Sequence, residues 1–188
     1  MSEDWKQTKP VEKKIRCTST DCKNDLHCFK RVGPKKDETY RLGVCKDCGA
    51  DLIDWTRLDK KDLGDVNYTV KALKYEFFRH HYWEHIEIDE KAIKKAKKMG
   101  PDGIRKWAEK RINKYIAPAQ KDLFRDGIQT PLQGNIVFYA QHAIAACCRK
   151  CIEEWYDIDR NRSLSEDEKN YLLKLMMAYI EYKMPDIF

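Results

Sequence analysis

The chain is 188 residues long, 36% of them charged, with 37 Lys and Arg against 31 Asp and Glu. At a mean hydropathy of −0.78 no segment is apolar enough to span a bilayer, and the opening MSEDWKQTKPVEKK lacks the apolar core of a signal peptide. These features argue against a helical membrane protein and point to the cytoplasm, where eight cysteines serve metal binding or burial rather than disulfides.

Residues 1–14 are polar and charged without periodicity and are expected to be a disordered tail. Cysteine spacing then organises residues 15–55. Cys17-x4-Cys22 and Cys45-x2-Cys48-Gly49 each offer two thiolates from one tight turn, the arrangement a tetrahedral Zn²⁺ requires. The prediction is a small β zinc ribbon with Cys17, Cys22, Cys45 and Cys48 as ligands. All four positions are filled by protein, so the ion is structural. Residues 26–30 and 40–44 read as strands, joined by Gly33-Pro34-Lys35-Lys36-Asp37. His27 and Cys28 face opposite sides of such a strand, so at most one approaches the metal, and Cys28 is expected to be buried.

Residues 56–65 are a charged connector, and residues 66–188 are predicted to be helical, making the protein mainly α. Val70, Leu73, Phe77 and Trp83 recur at helical spacing over 67–83. Asp89 caps a helix to Lys98, Gly100-Pro101-Asp102-Gly103 breaks it, and another runs over 104–116 to an end near Pro118. Residues 122–134 form a loop, and Asn135 caps a long helix through Trp155. The capping box Ser165-x-x-Glu168 opens the last helix, with Tyr171, Leu172, Leu175, Met176, Tyr179 and Ile180 as its core stripe.

Between Lys91 and Arg125 the chain carries twelve Lys and Arg against three Asp and Glu, the footprint of a surface for a polyanion. Cys147-Cys148-x2-Cys151 crowd one side of a helix. His142, nine residues before Cys151, is about 180° around an ideal helix and cannot share a metal with it unless that helix is broken. The three thiols are either small buried hydrophobes among Ala143, Ala145 and Ala146 or part of a second metal site drawing on His80, His81 and His85.

Two resemblances follow from these residues. Asp126-Gly127-x-Gln129-Thr130-Pro131, Val137-Phe138-x-Ala140-Gln141-His142-Ala143 and Cys147-Cys148-Arg149-x-Cys151-x3-Trp155 resemble, in order, a bacterial domain family of unknown function over roughly residues 91–184. The chain departs from that family at Tyr156, where His is expected, and at residues 157–162, where the family tends to read Gly-Ile-Pro-Lys-Gly-Arg. Met99 to Ala108 loosely resembles a helix-hairpin-helix, in which backbone amides and a Lys meet a DNA phosphate. With the basic block and Asp126, the whole is similar to bacterial antiviral DNA glycosylases that remove modified bases from phage DNA. That resemblance implies Asp126 stabilising an oxocarbenium-like sugar, with His142 as its catalytic partner. Gln129, Gln141, Tyr139, Lys106 and Arg149 would then contact the base or the phosphates. The expected partner is double-stranded DNA, with neither membrane nor obligate protein partner. The rival readings are a non-catalytic zinc-ribbon nucleic-acid-binding protein, a metal-dependent nuclease built on His80, His81 and His85, and a zinc protein acting on other proteins.

Overall fold

A computed structural model describes residues 15–29, 31, 43–123 and 130–188. The predicted tail at 1–14, the turn at 33–37, and Asp126 and Gln129 lie outside the described residues. Among the described residues seven α-helices carry the fold: α1 (Trp55–Asp59), α2 (Val66–Leu73), α3 (Phe77–His80), α4 (Glu90–Tyr115), α5 (Ile136–Ala143), α6 (Arg149–Tyr156) and α7 (Glu166–Lys183). None of them is long and apolar enough to cross a membrane.

The local signals for helix starts operate as expected. Asp89 accepts from Ala92 N–H at 2.9 Å, Asn135 from Val137 N–H at 3.0 Å, and Ser165 and Glu168 form the reciprocal capping box of α7. Helix α7 lies at the centre and packs against α4, α5 and α2. Its stripe from Tyr171 to Ile180 is buried, each Leu or Ile contributing roughly 1.5–3 kcal/mol. Tyr171 Oη lies 2.6 Å from Thr69 Oγ1, and Tyr179 donates to the Tyr82 carbonyl at 3.0 Å, so the stripe is also pinned by polar bonds.

Glu168 titrates well away from an ordinary carboxylate. Its hydrogen bonds from Arg162 bring it from 4.5 to about 2, against the opposing effect of burial. A carboxylate depressed on folding stabilises the fold above its unfolded value and loses that contribution as pH falls toward the folded one. Stability is therefore expected to decline from about pH 4.5 to about pH 2, and Glu168→Gln should flatten that part of the curve. Urea midpoints across the acid range check this; an unchanged slope in the variant would remove Glu168 as the cause.

A β ribbon is not shown: among the described residues there is no strand, only the isolated bridges Asp21↔Leu26, His27↔Glu76 and Phe29↔Cys45, and residues 40–42 of the second expected strand lie outside the described residues. Two expectations are corrected. The helix expected over 67–83 is interrupted after Leu73 because His27 uses its backbone there: its N–H donates to the Tyr75 carbonyl at 2.8 Å and its carbonyl accepts from Phe77 N–H at 2.9 Å. A π turn, His81–His85, follows α3. The single helix expected from Asn135 to Trp155 is two, α5 and α6, separated by a corner at which Ala145 has φ +56°. Gln141 spans that corner, donating through Nε2 to the Ala146 carbonyl at 3.2 Å, and buried Tyr156 donates to the Ile144 carbonyl.

The N-terminal segment shares the core of the helices. Phe29 meets Trp55 and Trp155 edge-on, at 6.4 Å from each, and Arg31 grips Asp59 at 2.6 Å while lying over the Trp55 ring. Gly43 adopts φ +70° beneath Trp55, whose Nε1 donates to its carbonyl; a Cβ there would sit 2.1 Å from that nitrogen.

Candidate functional site

Among the described residues two groups of side chains have the geometry to hold a metal ion: Cys22, His27, Cys45 and Cys48, and Cys147, Cys148 and Cys151, each with its donor atoms within 4.8 Å of one another. In the first, Cys22 and Cys45 Sγ are 3.7 Å apart. A zinc–sulfur bond of about 2.3 Å in a tetrahedron sets its sulfurs about 3.8 Å apart, so this pair already spans one edge. Cys48 Sγ lies 3.4 Å from His27 Nδ1. Burial pushes the Cys45 thiol up, but amides of Cys28, Asp47 and Cys48 together with His27 outweigh it and bring it down to about 6. Cys22 is pushed up to about 12, by burial and then by the Cys48 and Cys45 sulfurs.

Three of the four predicted metal ligands thus stand together, with His27 completing the set. Cys17 is exposed and is not among the grouped donors; its carbonyl accepts from Cys28 Sγ at 3.4 Å. Cys28 is fully buried. Spacing arithmetic counts thiols and passes over the imidazole. The available signal was that only one of His27 and Cys28 could face the metal.

The second group sits at the start of α6. Cys148 is the N-cap, accepting from Cys151 N–H at 3.4 Å, and Cys147 and Cys151 Sγ are 3.7 Å apart. The Cys147 and Cys148 thiols hold Cys151 well below the ordinary thiol range against the effect of burial, and Arg79 adds to that. Arg79 is 1% exposed and was not singled out from sequence. It donates to Glu76 Oε2 at 3.0 Å, to the His142 carbonyl at 2.6 Å and to Cys151 Sγ at 3.5 Å. His80 at the end of α3 and His81 and His85 of the π turn lie together, the His85 ring centroid 5.3 Å from that of His80 and 6.1 Å from that of His81, and they belong to neither thiol group.

The residues nominated to contact nucleic acid fall in two places. Gln141, Tyr139 and Arg149 are buried and serve internal bonds. Gln141 Oε1 accepts from Arg111 at 3.1 Å, Tyr139 donates to Asp89 at 2.8 Å, and Arg149 binds the carbonyls of Ile116, Asp159 and Arg162. His142 stacks on Tyr82 at 5.2 Å and sets Nε2 3.3 Å from the Pro131 carbonyl. Burial first, then Arg79, lowers it to about 4. Lys106 is exposed on α4.

Helix α4 is broken at Gly100, with φ +65° and ψ 177°, and Pro101 begins its second half. The halves fold back on each other, since Lys95 Nζ lies 5.0 Å from the ring centre of Trp107, twelve positions later. A straight helix would separate them by about 18 Å. Lys91, Lys94, Lys95, Lys97 and Lys98 are exposed before the corner, and Arg105, Lys106, Lys110 and Lys114 after it. Among the described residues the ion pair found for this set is Lys94–Glu90, at 3.6 Å.

No solved structure matches the chain. A family model, "Domain of unknown function (DUF4186)", matches residues 67–181, which begins upstream of the stretch the sequence motifs mark out and takes in the Arg79–Glu76 pair, the basic corner and the three-thiol group. With well over half of its length matched, the chain belongs to the DUF4186 family.

Proposed function

We propose that this protein binds nucleic acid, double-stranded DNA first, through the folded-back halves of α4, and that a structural zinc ion on Cys22, His27, Cys45 and Cys48 fixes the N-terminal segment beside it. The observation that carries this reading is the corner at Gly100, which gathers nine exposed cations and only Glu90, Asp102 and Glu109 as acids onto one helical element. Each phosphate neutralised releases counterions, so log affinity should fall with log salt at a slope of about −0.9 per contact.

Anisotropy titrations of a labelled duplex over about 50–200 mM salt test it. Lys106→Ala with Arg105→Ala should weaken binding and reduce the slope by about 2. Absence of binding at the lowest salt, or a slope untouched by the double variant, would overturn the reading.

Base excision is the second reading. It draws on Asp126 as the sequence motif offers it and on His142, whose Nε2 lies 3.3 Å from the Pro131 carbonyl. Alkali-labile sites appearing in phage DNA with modified bases but not in ordinary DNA, and lost in Asp126→Asn, would support it. Tight binding that leaves both DNAs intact would reject it and leave a binding protein.

A further inference from the structure

We propose that Cys147, Cys148, Cys151 and His142 form a second zinc site that staples the corner between α5 and α6. It stands independently of nucleic-acid binding and of the first metal group. On an unbroken helix His142 and Cys151 would lie on opposite sides. The turn over residues 144–148 breaks that helix, and Arg79 bridges its two sides, donating to the His142 backbone carbonyl at 2.6 Å and to Cys151 Sγ at 3.5 Å; the imidazole itself stands outside the group of sulfurs that lie within 4.8 Å of one another, so ligation requires it to turn toward them.

The donor set fits the ion. The three sulfurs converge within 4.8 Å, and the Cys147–Cys151 separation of 3.7 Å matches the about 3.8 Å edge of a zinc tetrahedron. Cys148 and Cys151 occupy the N-cap and the first turn of α6, where a backbone N–H donates to sulfur. His142 is 7% exposed, and its Nδ1 is a buried nitrogen with no hydrogen-bond partner. A buried polar atom without a partner costs roughly 1–3 kcal/mol, a cost that metal ligation removes. Three thiolates and a neutral imidazole on Zn²⁺ carry one net negative charge. Arg79, inside the core and bonded both to one of those sulfurs and to Glu76, shares its positive charge between the centre and that carboxylate as a positioning residue.

The test is zinc stoichiometry of the full chain by native mass spectrometry. Wild type should carry two ions, and Cys45→Ser and Cys151→Ser should each retain one. His142→Ala should weaken the second ion at least about tenfold in competition with a chromophoric chelator, leaving the first unchanged. Should Cys151→Ser fail to fold, alkylation of wild type decides instead: the peptides carrying Cys147, Cys148 and Cys151 should resist iodoacetamide until a chelator is added. One zinc per chain that vanishes in Cys45→Ser, thiols at α6 that alkylate freely without chelator, or a second ion indifferent to His142→Ala would each overturn the proposal.

Discussion

Replacing Arg79 with alanine is expected to destabilise the fold by about 3–5 kcal/mol, because it takes the guanidinium away from the buried Glu76 carboxylate. Arg79 and Glu76 are 1% and 2% exposed, and Glu76 Oε2 also accepts from Trp155 Nε1 at 3.0 Å. The cost comes from the charge left behind rather than from the pair itself. The double variant Arg79→Met, Glu76→Leu should therefore recover most of the loss, since exchanging both partners for apolar groups is often close to neutral. Urea unfolding of the single and double variants measures this. A loss under about 1 kcal/mol in Arg79→Ala would mean that water reaches Glu76 and that the interior is more open than its burial indicates.

Loss of the proposed zinc ion from Cys22, His27, Cys45 and Cys48 should have the next largest effect. Structural zinc sites hold their ion by about 10–16 kcal/mol near neutral pH, and that energy is available to folding. In Cys45→Ser, residues 15–55 are expected to become protease-sensitive while α4 to α7 keep their helical circular dichroism. Trp155 lies against Phe29, so tryptophan emission should shift to the red as that cover departs. A variant with no ion at this group and unchanged proteolysis and emission would show that packing alone secures the segment.

The helix starts at Asp89, Asn135 and Ser165 and the buried stripe of α7 were legible because a cap or a 3.6-residue period is a property of neighbours in sequence. The corner after α5 was not. The run Ala143-Ile144-Ala145-Ala146 contains no helix breaker, and the break is enforced from a distance by Gln141, Arg111 and Tyr156. The interruption after Leu73 likewise originates with His27, far upstream. At the candidate sites, thiol spacing located Cys22, Cys45 and Cys48 but could not count an imidazole as their fourth companion. Gln141, Tyr139 and Arg149 were expected to contact a base or phosphates; a polar side chain in sequence does not announce that groups of its own interior engage it.

His27 joins the grouped thiols through its side chain while its backbone is woven between Tyr75 and Phe77. The consequence concerns modularity. The N-terminal segment cannot be exchanged for another or cut away as a bead from a string, since excision at the family match's first residue, 67, would leave Phe77 N–H without its acceptor and Trp155 bare. A helical body made to stand without this segment would need a new surface at Tyr75–Phe77 and around Trp155, so the two parts are to be redesigned together or not at all.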